Sequence, residues 1–421
     1  MKPFSGNPEE FNDRVIEQYR RYVNPALAQL MKFGGYGSVE WTGEGVYITD
    51  THGERYLDAL AGYGVFSLGH RHPRIVEAVH RQLDQMPLST RQFFTSPMAD
   101  LAERLAEVSP GKLQYSFFCH SGTESVEGAL KCARIASGKH GIIFTTNAFH
   151  GKTMGSLSAG GREVYRTKVE PLVPDFHKVP WGDAEAVREA VTADTAAIIL
   201  EPVQGEGGIN PAPEGYLQTV RSICDEKGVL LIADEVQTGF GRTGRMFGVQ
   251  HSGVNPDIMC LAKALGGGVT STAAFVGTPE VWNRFFSENP TIHTTSVVNL
   301  CAMAAGLETL KVIEEEGLIE NARNMGARLL EGLRLVQSEL PDMVREVRGL
   351  GLMVGIEFHE KDFGLLTIAG LASRKIIAGY TLANPNVIRV EPPLIINDSQ
   401  VDYVIESVRE SLKECRDLLA G

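Results

Sequence analysis

Hydrophobic positions recur at helical spacing over Arg74–Met86, Pro97–Val108 and Val126–Ser137, each with a polar face opposite. Between them come short apolar runs, Gln114–Phe118, Gly141–Thr145, Ala196–Leu200, Val229–Ala233 and Asp257–Leu261. Runs of that length read as buried strands, and their alternation with helices predicts crossover units around a largely parallel sheet. After about Asn299 the pattern changes to the long amphipathic stretches Cys301–Glu316 and Ile319–Leu340, a strand over Leu352–Phe358 and a last helix near Gln400–Leu419. The expected class is therefore α/β, with a large domain over 61–299, a smaller α+β domain over 300–421, and an N-terminal segment, 1–60, packing with the smaller one. Repeats, low-complexity tracts and Pro/Ser-rich linkers are not evident.

Composition narrows the class of partner. The 421 residues are 43% hydrophobic, enough for a large core. Lysine and arginine number 40 against 52 acidic residues, and the net charge of −12 would repel a phosphate backbone, so no nucleic-acid partner is expected. Met1–Arg14 lacks the apolar stretch of a secretory signal, and no run is long enough to span a bilayer. Six cysteines stand scattered without a C-x-x-C pair, so neither a zinc clip nor a redox couple is expected. A reducing cytoplasm is the simplest home.

Ligands of an open parallel sheet sit at the carboxyl ends of its strands, so polar residues directly after apolar runs are the first candidates. The first run leads into Cys119-His120-Ser121-Gly122-Thr123-Glu124 at a helix start, where free N–H groups and hydroxyls suit a phosphate; the same letters are also an ordinary capping box. The second leads to Phe149 and His150, an aromatic ring that either stacks on a planar ligand or belongs to the core. The third ends in Glu201 and Glu206 within a Gly-rich loop, carboxylates that call for a cation or a substrate. The fourth ends in Asp234-Glu235-Val236-Gln237. The fifth ends in Ala262-Lys263-Ala264-Leu265 before three glycines. A lysine so flanked is either a surface residue or a buried amine, and burial favours the neutral form that Schiff-base chemistry needs. Together these are the parts of a pyridoxal 5'-phosphate site, with the aspartate holding the pyridine proton and the lysine carrying the aldehyde.

On these motifs the sequence resembles the class III aminotransferases from Gly35–Trp41 to Arg389, and within them the putrescine branch through Phe66–Pro73, Tyr115–Lys131 and Asp234–Phe247. The resemblance implies a fold type I pyridoxal-phosphate transferase that moves an amino group from a terminal amine to a keto acid such as 2-oxoglutarate or pyruvate, in ping-pong order. It makes Lys263 the Schiff-base lysine and Asp234 the partner of the pyridine nitrogen. It places Gln237 near the phenolic oxygen, Phe149 on the ring face, and Gly122 and Thr123 on the phosphate. It also pairs Glu206 with Arg389, the arginine taking the α-carboxylate of the keto acid. A homodimer or dimer of dimers with shared active sites is implied as well, because the family's counterpart of His293–Asn299 reaches the neighbouring subunit's phosphate, here through Thr295 or Ser296.

Three stretches depart from the family pattern. Val297 and Val298 stand where two glycines are usual, in a segment one residue shorter; Thr270-Ser271-Thr272-Ala273 replaces a Pro-hydrophobic-Gly turn; and His120 replaces a common asparagine. Two other fates stay open on the same residues, an aminomutase or racemase and a catalytically idle binding protein. A phosphate-loop enzyme is excluded, since Thr146 stands where Gly151-Lys152-Thr153 would need a glycine.

Overall fold

The apolar runs assemble into a seven-stranded sheet in the computed structural model, which describes residues 4–33, 37–293 and 298–420. In chain order its strands are β1 (Tyr115–Cys119), β2 (Gly141–Thr145), β3 (Phe176–Val179), β4 (Thr195–Leu200), β5 (Leu230–Asp234), β6 (Ile258–Leu261) and β7 (Ala273–Gly277). They lie side by side as β1-β7-β6-β5-β4-β2-β3. All neighbours are parallel except β7, which runs antiparallel to both β6 and β1. The expected largely parallel α/β sheet is present.

Successive side chains of a strand point to opposite faces, and both faces here are dry. Ile142, Phe144, Ile199 and Ile232 pack against helix α1 (Gly122–Ser137) through Val126, Ala129 and Ala133. On the other face Ile143, Ile198, Leu200 and Leu231 meet the helix Tyr216–Lys227. Each isoleucine buried this way contributes about 1.5–3 kcal/mol of apolar transfer. Two strands escaped the sequence pattern. β3 is an edge strand with polar His177 and Lys178, and β7 is short and follows a hydroxyl-rich stretch that reads as a loop.

A second, antiparallel sheet is formed by β8 (Val344–Leu350), β9 (Met353–Phe358), β10 (Gly379–Tyr380) and β11 (Val387–Val390), ordered β8-β9-β11-β10. The strands Glu40–Glu44, Tyr47–Asp50 and Arg55–Asp58 make a third sheet that Ile376–Ile377 joins in parallel. The helix Leu300–Glu315 packs on Pro73–Gln85, Ser96–Val108 and the turn Lys263–Gly266. The two sheets are tied together by Arg242, which is fully buried and donates to the carbonyls of Leu352 and Pro392 and to Ser67 Oγ. Burial pushes its guanidinium down to about 10. All six cysteines are buried and free, and no helix among the described residues is long and apolar enough to cross a membrane.

Candidate active site

Parallel β1, β2, β4, β5 and β6 deliver their carboxyl ends to one edge of the sheet, and antiparallel β7 begins at that same edge. A cavity of about 410 Å³ opens there. It is lined by Ser121, Gly122 and Thr123 after β1, Phe149 and His150 after β2, Glu201 after β4, Asp234 and Gln237 with β5, and Lys263 after β6. Thr270, Ser271 and Thr272, the lead-in to β7, complete the wall.

Lys263 starts a single 3₁₀ turn, Lys263–Gly266, with φ +49°, a left-handed conformation that a lysine rarely adopts. Its neighbours Ala262, Ala264 and Leu265 are buried, so the backbone is clamped while the side chain opens onto the cavity. Desolvation lowers its pKa, against the raising fields of Glu206 and Glu391. Asp234 is the last residue of β5. Its Oδ1 accepts the Val236 N–H at 3.0 Å, and its Oδ2 accepts His150 Nδ1–H at 2.7 Å. Burial opposes the His150 imidazolium, yet the hydrogen bond and charge of Asp234 hold its pKa above the ordinary value.

The opening turn of α1 is capped by Ser121, but the reciprocal half of the capping box is shifted by one residue, since Glu124 takes the N–H of His120 and not that of Ser121. Ser121 Oγ accepts Glu124 N–H, while Glu124 Oε2 accepts His120 N–H at 2.8 Å. That leaves the N–H groups of Gly122 and Thr123 without intrahelical acceptors, facing the cavity. A Cβ on Gly122 would sit 3.0 Å from Val236, so the backbone comes close to the wall. The Thr123 hydroxyl lies 2.7 Å from Ser156 Oγ and 2.8 Å from Thr153 Oγ1. Three side-chain atoms at this cavity are buried without a partner: His150 Nε2, Thr270 Oγ1 and Thr272 Oγ1. Buried polar atoms are normally hydrogen-bonded, so a polar ligand is the missing half of this site. The residues present fit pyridoxal phosphate: the α1 amides and the threonines would suit its phosphate, Phe149 its flat ring and Lys263 its aldehyde.

The two carboxylates of the Gly-rich loop have different partners. Glu201 has no ion-pair partner in contact among the described residues; its oxygens accept the N–H groups of Phe149 and Gly205, both at 3.0 Å. Burial raises its pKa to about 7, partly countered by the nearby His150. Glu206 accepts Arg389 Nη2 at 2.6 Å and the Leu382 N–H at 2.9 Å. Arg389 sits on β11, and both its cross-strand neighbours, Gly355 and Gly379, lack a side chain. Its guanidinium is fully buried, 5.1 Å from the Tyr63 ring centroid, and neither it nor Glu206 lines the cavity. Gln237 donates its amide to Glu391, at 3.1 and 3.0 Å from the two oxygens. Thr295 and Ser296 lie outside the described residues. Glu391 and Tyr63 lie outside the strand-end motifs of the sequence, and Thr270 and Thr272 stand out there only as departures from a family pattern. Glu391 left one signal, an acid at i+2 from Arg389 in an otherwise apolar strand run.

The model of the family "Aminotransferase class-III" matches residues 39–412. An (S)-enantioselective omega-transaminase from Thermomicrobium roseum is 31% identical, with TM-score 0.89 over 97% of this chain and 99% of its own. A transaminase from the marine bacterium Virgibacillus is 29% identical, with TM-score 0.90 over 96% of this chain and 100% of its own. The ornithine aminotransferase of Toxoplasma gondii, 28% identical with TM-score 0.90 over 99% of each chain, holds pyridoxal phosphate at partial occupancy in its active site. The chain belongs to the class III aminotransferases. It is accordingly a pyridoxal-phosphate-dependent enzyme of fold type I that takes an amine donor and a keto-acid acceptor.

Proposed function

We propose that the donor is a terminal amine, a diamine or ornithine-like compound as in the putrescine branch, and that the acceptor is 2-oxoglutarate or pyruvate. The observation that carries this reading is the closed Glu206–Arg389 pair at 2.6 Å. An arginine already matched by a carboxylate offers little to the carboxylate of an amino-acid donor. It becomes a bidentate site for a keto acid once Glu206 turns aside.

Pyridoxal phosphate supplies an aldehyde that condenses with amines and a ring that spreads the electron pair left when the adjacent C–H bond breaks. The rest falls to the chain. The α1 amides with Thr123, Thr270 and Thr272 would hold the phosphate, Phe149 would cover the ring face, and Asp234, backed by His150, would keep the ring nitrogen protonated. Gln237 would border the phenolic oxygen. The Lys263 amine, whose pKa burial lowers, would hold the aldehyde at rest and carry the proton between carbon atoms during turnover. A screen of diamines, ω-amino acids and α-amino acids against 2-oxoglutarate and pyruvate tests the assignment. Turnover confined to α-amino acids would refute it.

The same reading includes at least a C2 homodimer. Phe93 and Phe94 are largely exposed, and earlier in the same stretch of chain Leu88 bridges Asn299. Large exposed aromatics fit a second copy of this chain. Light scattering that finds a fully active monomer at assay concentration would overturn the shared site.

A further inference from the structure

Behind Gln237 one cation meets two anions. Arg389 Nη2 donates to Glu206 Oε2 at 2.6 Å, and its Nη1 reaches Glu391 Oε2 at 3.4 Å. Glu391 is fully buried, and both its oxygens accept from Gln237 Nε2. The formal charge of the trio is −1. All three reach the reacting end of the site: Glu206 and Glu391 raise the pKa of Lys263, and Arg389 lowers it.

The two carboxylates are held differently. Glu206 presents one oxygen to Arg389 and to Leu382 N–H, and rotation of its side chain would free the guanidinium. Glu391 has no such freedom. Gln237 grips both oxygens, its own N–H donates to the Ala59 carbonyl at 2.7 Å, and the next carbonyl, that of Pro392, is held by Arg242. When Glu206 leaves, Arg389 still faces a carboxylate.

We propose that Glu391 is a specificity-determining residue: a fixed carboxylate that keeps Arg389 half neutralised whichever way Glu206 turns, so that the site favours a donor with a second ammonium group over one with an α-carboxylate. The inference deepens the terminal-amine reading above and rests on it. In a buried site, removing one negative charge weakens the pull on a cation and strengthens the pull on a carboxylate at once. A merely structural Glu391 would lower both together.

The test uses holoenzyme of the wild type, Glu391→Gln and Glu391→Ala. Donor kcat/KM is measured for 1,4-diaminobutane and 1-aminobutane, and 2-oxoglutarate binding is measured by calorimetry. The wild type should prefer the diamine by about tenfold or more, the scale of one charge-assisted contact. Glu391→Gln should bring that ratio toward one while tightening the 2-oxoglutarate Kd by about tenfold. Should Glu391→Ala fail to fold, Glu391→Gln, equal in shape, still decides the matter. A wild type indifferent to the second ammonium, or a Glu391→Gln ratio and Kd both unchanged, would overturn the proposal. If neither amine is a donor while 2-oxoglutarate still binds, the terminal-amine reading falls by itself. Glu391 is then judged on calorimetry alone, where an unchanged Kd refutes it.

Discussion

At the cavity, the Asp234 carboxylate meets a single imidazole; behind Gln237, the Arg389 guanidinium meets two carboxylates. The first group rests on strand ends of a sheet buried on both faces, and its open hydrogen bonds await a ligand. The second rests on the small antiparallel sheet and two loops, and its members satisfy one another. The difference separates two tasks. A cofactor that stays needs a fixed, unsatisfied frame, whereas two substrates that alternate need a frame that can exchange one internal partner for a ligand.

The largest expected effect tests the fixed side. Lys263→Ala should abolish the visible absorbance of the lysine-bound cofactor and reduce transamination by several orders of magnitude; an unchanged spectrum would move the assignment elsewhere. Asp234→Asn should keep the cofactor but slow the half-reaction by about ten- to a hundredfold, the weight of one charge-assisted hydrogen bond. Near-normal single-turnover rates would show that another group holds the ring proton. Arg389→Ala probes the exchanging side: KM for 2-oxoglutarate should rise by about tenfold or more and that for a diamine far less. Equal losses on both would make Arg389 structural. Thr272→Val should weaken cofactor retention on dilution by about two- to tenfold, measured by fluorescence titration, since one neutral hydrogen bond is lost. Retention equal to wild type would remove Thr272 from the phosphate site.

The smallest effect concerns pH. Glu201 has a folded pKa of about 7 against an ordinary 4.5, so between these values the folded chain binds more protons than the unfolded one and loses stability as pH rises. The raised His150 works in the same direction, its contribution being present at low pH and lost as pH climbs through its folded value. Glu201→Gln should flatten the wild-type fall in Tm across that window by a few degrees, and an unaltered slope would place the proton elsewhere.

Most of the fixed side was legible because its signal is local. An apolar run followed by polar letters marks a strand end, so Ser121, Phe149, Glu201, Asp234 and Lys263 could each be named from a few neighbouring residues. Thr270 and Thr272 became wall residues only because β7 runs against its neighbours, and strand direction is not written in a five-residue run. The exchanging side was half legible. Glu206 stood in a strand-end loop and its pairing with Arg389 came from the family resemblance, but Glu391 contacts Gln237 across 154 positions, and no periodicity reports such a contact. Glu201 was legible only as a strand-end carboxylate for a related reason: its partners are main-chain N–H groups, which every sequence possesses.

That main-chain anchoring bears on how the Arg389 gate moves. Glu201 holds the amide of Gly205, the Gly205 carbonyl accepts Gly208 N–H at 3.2 Å, and the Glu206 carbonyl accepts Ala383 N–H at 2.8 Å, so the peptide on either side of Glu206 is pinned. Arg389 can then be uncovered by torsion about the Glu206 side-chain bonds, with no travel of the loop. Amide hydrogen exchange across 203–208 should accordingly be the same with an amine bound as with a keto acid, so the enzyme would change specificity between half-reactions while its backbone stands still.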